Sequence, residues 1–454
     1  MPVTRRFLVS SGLALGAVLP AAAAAAGPRS KDGASGSAET TVAPNTGGDQ
    51  SKALQAAIDG AAERGTVLTL APGRYLVQGI KLRPGSHIRG TPGRTILAHA
   101  APGTLITGDG ADRARLEGLI IEGSAHALTG GNHAGLVAIV RSRGLVLADL
   151  EVQGSRANGI VLERCSGSVR DCRVSGAAQA GIVSVDAAGL EIAHNTIADC
   201  ANNGILVWRT TAGEDGTIVA SNRIERIRAA AGGTGQNGNG VNVYRAGSVL
   251  VSGNRIADCA YSAIRGNAAS NIQMVGTSCA RIGEVALYAE FGFEGALIAS
   301  NIVDTAATGI SVTNFNEGGR LAVVQGNLIR NLVRREHEPE DKRGEGIAVE
   351  ADTVVTGNTI ENAATVGISI GWGHYMREVV ATSNVIRKSR VGIMITRDPG
   401  AGAALIAQNM ISGTRDGAIR AMDKGVAVGP ELVRGGAPSS RITLSGNVGV
   451  EAGA

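Results

Sequence analysis

A short phrase keeps returning along this 454-residue chain: a small residue, alternating aliphatics, then an Asn further on. It reads Gly204-Ile205-Leu206-Val207 before Asn222-Arg223-Ile224, and Gly309-Ile310-Ser311-Val312 before Asn327-Leu328-Ile329. Gly346-Ile347-Ala348-Val349 before Asn358-Thr359-Ile360 repeats it again. The Asn falls at 195, 222, 254, 301, 327, 358, 384, 409 and 447, with a weaker copy at Ser278. A period of roughly 23–32 residues means one small unit stacked on itself, so the chain reads as a solenoid.

The apolar runs are short, β-branched and alternating, which is the period and length of a strand. No stretch from 66 to 450 keeps the 3.6-residue period needed for a sizeable helix. The 66 Gly against 12 Pro and 2% aromatics suit frequent tight turns around a core of Val, Ile, Leu and Ala. The fold class is therefore all-β: one parallel β-solenoid domain, 49–450, of about ten to twelve coils and on the order of 55 Å long. A corner column of Asn in the left-handed region, each bonded to its neighbour's backbone, is the expected device between coils.

The chain start differs. Arg5-Arg6-Phe7 precede a weakly apolar run and the Ala-rich zone Ala21 to Ala26, which resembles a twin-arginine export signal over 1–26. A Gly/Ser-rich linker, 27–48, follows. Asp49 can cap an amphipathic helix over about 50–63, with Leu54, Ala57, Ile58 and Ala61 on one side and Gly65 ending it. Such a helix would lid the open apolar end of the first coil.

The helix segment Ala53 to Asp59, then Gly65-Thr66-Val67 and Ala71-Pro72-Gly73-Arg74-Tyr75, resembles the cap and first coil of the pectin-lyase-like right-handed parallel β-helix superfamily. With the paired arginines and the repeats to Asn447, the chain resembles exported, repetitive β-helix proteins of that kind with no assigned activity. The resemblance implies a single-stranded right-handed β-helix, and a periplasmic or secreted location reached through the Tat translocase. It implies no single chemistry, because the superfamily holds lyases, hydrolases, epimerases, esterases and inert adhesins.

Composition narrows the partners. The net charge of +4 includes Arg5 and Arg6, so the remainder is near neutral and nucleic acid is an unsuitable partner. The cysteines at 165, 172, 200, 259 and 279 form no CxxC and no metal-like cluster, and read as buried thiols. No metal site and no cofactor are expected.

With the small residue at position 0, positions +1 and +3 face in, while +2 and +4 face out. The outward pairs run Leu206/Trp208, Asn242/Tyr244, Arg265/Asn267, Tyr288/Glu290, Ser311/Thr313, Ala348/Glu350. Polar and aromatic residues thus gather from Asn242 to Glu290. Two insertions, Arg228 to Asn239 and a charged one from Arg334 to Glu345 with His337, Asp341, Lys342 and Arg343, enter the same corner and would wall a groove over 242–350.

Three chemistries fit such a groove. A polysaccharide lyase would use Tyr288 or Arg265 as base or helper, with Asn242 or Asn267 on a carboxylate. A glycoside hydrolase would use Glu290 and Glu350, two coils and about 10 Å apart. A binding module needs only Trp208, Tyr244, Tyr288 and Asn267. Trp372 and His374 form a second candidate, while His194 reads as a turn residue. The calcium-type Asp column of pectate lyases and the signatures of polygalacturonases and mannuronan epimerases are absent. The reading is an exported β-helix that recognises, and by some routes cleaves, a polysaccharide; the alternative is a non-catalytic adhesive rod that binds a protein.

Overall fold

The computed structural model describes residues 40–451 except 46, 314, 336–343, 434, 435, 437 and 438. The expected export signal with Arg5 and Arg6, the linker up to 39, and His337, Asp341, Lys342 and Arg343 lie outside the described residues. From Ala38 onward the chain forms one compact unit.

Short alternating strands cannot bury one face alone, so they stack. Each turn of the right-handed coil contributes strands to three parallel ladders around one aliphatic core. One ladder is a sixteen-stranded sheet running from Thr40–Val42 to Ile442–Ser445. Thr40–Val42, inside the segment read as linker, pairs in parallel with Leu68–Leu70. The coil is therefore longer than ten to twelve turns: about 15 spacings of ~4.8 Å make a rod of roughly 72 Å. The shortfall has a clear cause. In the early coils the Asn corner is held by Leu119, Leu150 and Cys172, all buried, so counting Asn misses them.

The inward and outward columns fall as the spacing requires. Leu206 pairs with Asn242, Asn242 with Arg265, and Arg265 with Tyr288; beside them run Trp208, Tyr244, Asn267 and Glu290. Glycine at position 0 is a packing need: a Cβ on Gly309 would sit 2.5 Å from the carbonyl oxygen of Gly346 in the next coil.

The Asn corner is a continuous ladder of buried amides. Asn327 donates its backbone N–H and its Nδ2 to Asn358 Oδ1, both near 3 Å, and sends Nδ2 to the Ile298 carbonyl as well. The left-handed residue is the one before each Asn, such as His194 (φ 59) and Ser221 (φ 56), rather than the Asn itself. The ladder breaks once, at Thr277 and not at Ser278: the Thr277 N–H still donates to Asn301 Oδ1, but its own buried hydroxyl has no partner. Thr277→Asn is expected to rejoin Asn254 to Asn301 and stabilise the protein by about 1–2 kcal/mol. A raised urea midpoint checks this; an unchanged or lower one refutes it.

Both ends are closed. The helix Ser51–Arg64 buries Leu54, Ile58 and Ala61, and Gly65 ends it in the left-handed region (φ 65). Gln50, not Asp49, occupies the N-cap; Asp49 sits one residue earlier and accepts the Ser51 N–H. Tyr75 is fully buried, its single O–H shared between the carbonyls of Val42 and Ala71 at 2.8 and 2.9 Å. At the far end Val426–Glu431 folds back antiparallel on Ile419–Asp423, so the last strand of that ladder covers its own edge. Among the described residues all five cysteines are buried and unbridged.

Candidate functional site

Three successive strands, Asn203–Glu214, Asn239–Gly247 and Ile264–Asn267, present their outward columns side by side. They floor a cleft of about 580 Å³. Five sequence candidates meet there: Trp208, Asn242, Tyr244, Arg265 and Asn267. The segment Thr234 to Asn237 of the first insertion forms one wall, and Phe291 lies at the far end. Of the second insertion, 336–343 is outside the described residues.

Aromatic rings make the upper floor. Trp208 meets Tyr244 edge-on with centroids 6.1 Å apart, and the Arg245 guanidinium lies 4.8 Å from the centre of the Tyr244 ring. His133, bonded to Glu163 at 3.2 Å, meets Trp208 nearly at right angles with ring centres 6.2 Å apart. A bulge between Trp208 and Gly213 ends the regular pairing just past the tryptophan.

The lower floor is polar and tightly held. Arg265 is 7% exposed and Glu290 2%. Arg265 Nε donates to Glu290 Oε1 at 2.6 Å, and Asn267 Nδ2 donates to the same oxygen at 2.9 Å. The guanidinium also stands 5.2 Å from the Tyr288 ring centre and 3.7 Å from Glu284. Tyr288 lies a coil further on and is half-buried. Burial first, then the nearby Glu290 carboxylate, pushes its phenol up to about 12, despite a hydrogen bond with Thr313.

The wall is fastened by amides. Asn203 Nδ2 and Asn242 Nδ2 both donate to the Gln236 carbonyl, at 3.1 and 3.2 Å, and Asn239 Nδ2 donates to the Gly235 carbonyl at 2.9 Å. The Tyr261 hydroxyl donates to the Gly233 carbonyl at 2.9 Å. Gly235, at φ 126, presses directly over the guanidinium, where a Cβ would collide with Arg265 Nη1.

The remaining candidates stand apart from the cleft. Glu350 Oε2 accepts the Phe315 N–H at 2.8 Å, tying a turn. His374 is exposed and stacks on Tyr375, with ring centres 4.1 Å apart, in the turn after Trp372. Asn203, Gln236, Asn237, Phe291 and His133 were not singled out from sequence. A signal existed for Asn203: Asn158-Gly159, Asn203-Gly204 and Asn239-Gly240 repeat one dipeptide at the head of the outward strands. There Asn239 Nδ2 donates to Asn203 Oδ1 at 3.1 Å.

A family model described as periplasmic copper-binding protein (NosD) matches residues 95–278, and one described as right handed beta helix region matches 212–377. No curated protein matches the sequence. Among solved structures, the N-terminal fragment of bacteriophage phi29 gene product 12 is 15% identical, with 87% of this chain and 68% of that chain covered and a TM-score of 0.53. A PL6 alginate lyase in complex with trisaccharide is 13% identical over 91% of this chain and 96% of its own, with a TM-score of 0.49. PfbA, a surface adhesin of Streptococcus pneumoniae, is 15% identical over 82% and 90%, with a TM-score of 0.45. At these identities the likeness is one of fold.

The copper in the first description can be weighed against the donors present. Among the described residues no three His, Cys, Asp or Glu side chains converge to hold a metal ion. Burial pushes the thiols up, to about 11 at Cys165 and about 12 at Cys172, Cys200 and Cys279, so they stay protonated and ligate poorly. The described residues do not fit a copper centre.

Proposed function

We propose that the protein is an exported β-helix that binds a glycan in the cleft between Trp208 and Asn267. The observation carrying this is the cleft's lining: three aromatic rings, two of them on adjacent coils, five amide side chains and one arginine, with no carboxylate among them. Aromatic faces take the apolar faces of sugar rings, and fixed amides read hydroxyls by donor and acceptor position. The wall is tied down by four amide-to-carbonyl or phenol-to-carbonyl bonds, which fix the positions of the amides before a ligand arrives.

Binding is favoured over cleavage by where the candidate catalysts stand. Glu290 is held by Arg265 and Asn267, and Glu350 by a backbone N–H, so neither is presented as an acid or base. Tyr288, lifted to about 12, is a reluctant base near neutral pH. The paired arginines at 5 and 6 and the periplasmic description of the matched family model support placing the protein in the cell envelope.

A glycan array with purified protein tests the reading. Trp208→Ala is expected to weaken the bound glycan by about 2–4 kcal/mol, roughly 30- to 1,000-fold, without a loss of thermal stability of similar size. Binding that survives in Trp208→Ala and Tyr244→Ala would move the site elsewhere. An array blank across neutral, acidic and acetamido glycans would favour the protein-binding rod.

A further inference from the structure

Two atoms at the cleft floor are left over from the network described above. Asn242 spends its Nδ2 on the Gln236 carbonyl, and its Oδ1 is buried without a partner. Arg265 spends its Nε on Glu290, and its Nη1 is buried with only the Glu284 carboxylate near it, at 3.7 Å and beyond hydrogen-bond distance. The two residues are register partners on adjacent coils and are 6% and 7% exposed. A buried donor and a buried acceptor without hydrogen-bond partners are costly, and a ligand supplying both partners recovers that cost.

The charge around Arg265 decides which ligand does so. The guanidinium already faces two carboxyl groups, Glu290 at 2.6 Å and Glu284 at 3.7 Å. A third anion there would be repelled by the carboxylates at close range in a water-poor site. A neutral carbonyl oxygen accepts from Nη1 without that penalty. The neighbouring Asn242 Oδ1 asks for an N–H or O–H. One small neutral group carries a carbonyl acceptor, an N–H donor and an apolar end: the secondary amide of an acetamido sugar.

We propose that the floor of this cleft selects a 2-acetamido sugar, its carbonyl accepting from Arg265 Nη1 and its N–H donating to Asn242 Oδ1. The methyl then lies against Leu206, which is the register partner of Asn242, and the sugar face against Trp208. Gly235 covers the guanidinium, so the ligand has to displace that peptide and the Asn239 bond to its carbonyl, and the two floor hydrogen bonds it gains must outweigh that loss. The assignment rests on the glycan-recognition reading and adds the sugar class to it.

The test compares chitotetraose with cellotetraose, which share linkage and length and differ in acetamido against hydroxyl, with trigalacturonate as the acidic probe. By titration calorimetry the purified protein is expected to bind chitotetraose at least about tenfold tighter than cellotetraose, and trigalacturonate least. Asn242→Leu, which repeats the residue of the preceding coil, and Asn242→Ser, which is too short to reach, should each bring that ratio close to one. Their melting temperatures should stay near the parent's. A parent ratio near one, a preference for trigalacturonate, a ratio unchanged in both variants, or no binding of either tetramer overturns the acetamido assignment. In each of these cases the array with Trp208→Ala decides separately whether the cleft binds glycans at all.

Discussion

Glu290→Ala is expected to lower stability by about 3–5 kcal/mol, seen as a drop in the urea midpoint, and to abolish glycan binding with it. Glu290 is 2% exposed and is the nearest acid to a guanidinium that is itself almost fully enclosed. Removing it takes away the acceptor for both Arg265 Nε and Asn267 Nδ2. What remains is a buried cation with only Glu284, at 3.7 Å, to answer it. The cost is that of the uncompensated charge rather than of the ion pair itself. The double replacement Arg265→Met with Glu290→Leu removes both charges and keeps the volume. It should recover most of the loss, with Glu284 limiting the recovery. Binding should stay absent in the double variant, because the floor donor is gone. Recovery of stability without recovery of binding separates scaffold from site; recovery of both would mean that Arg265 does not contact the ligand.

The ease of reading this fold from its sequence, and the difficulty of reading its site, share one cause. A solenoid repeats its register, so Leu206, Asn242, Arg265 and Tyr288 could be placed in one column from spacing alone, as the strand pairings have them. The coil count failed where the repeat marker changed chemistry: Leu119, Leu150 and Cys172 fill by burial the corner that Asn195 fills by hydrogen bonding. Asp49 looked like the helix cap because its side chain suits that role, but the chain turns one residue later, at Gln50. At the site, spacing says that Glu290 faces outward. It cannot say that Arg265 and Asn267 close over it and that the Gly235 peptide covers the guanidinium. The wall segment has no repeat to borrow from, so although the Asn-Gly dipeptides mark Asn203 and Asn239, nothing in the sequence shows that they and Tyr261 fasten that wall.

The second large effect lies in the ladder itself. Asn327→Ala is expected to cost about 4 kcal/mol, measured by urea unfolding, and to speed amide exchange at Asn301. Asn327 Oδ1 accepts both the Asn301 N–H and Asn301 Nδ2 at 3.0 Å, and its own Nδ2 reaches the Ile298 carbonyl. Alanine keeps the backbone donation to Asn358 but orphans the Asn301 N–H, leaves Asn301 Nδ2 with only the Met274 carbonyl, and takes a donor from two acceptors, the Ile298 carbonyl and Asn358 Oδ1, all out of reach of water. Because the amides are chained from Asn301 through Asn358, Asn384 and Asn409 to Asn447, each polarises the next, and an interior gap should cost more than an end one. Asn447→Ala, at the half-buried last rung, is therefore expected to cost about 1 kcal/mol. Equal losses at 327 and 447 would show that the ladder acts as separate turns and that the aliphatic core alone holds adjacent coils in register. A fourfold difference, with exchange quickened at the neighbouring coil and not along the whole rod, would show that the amide chain sets the local stability on which the cleft's alignment over three coils depends.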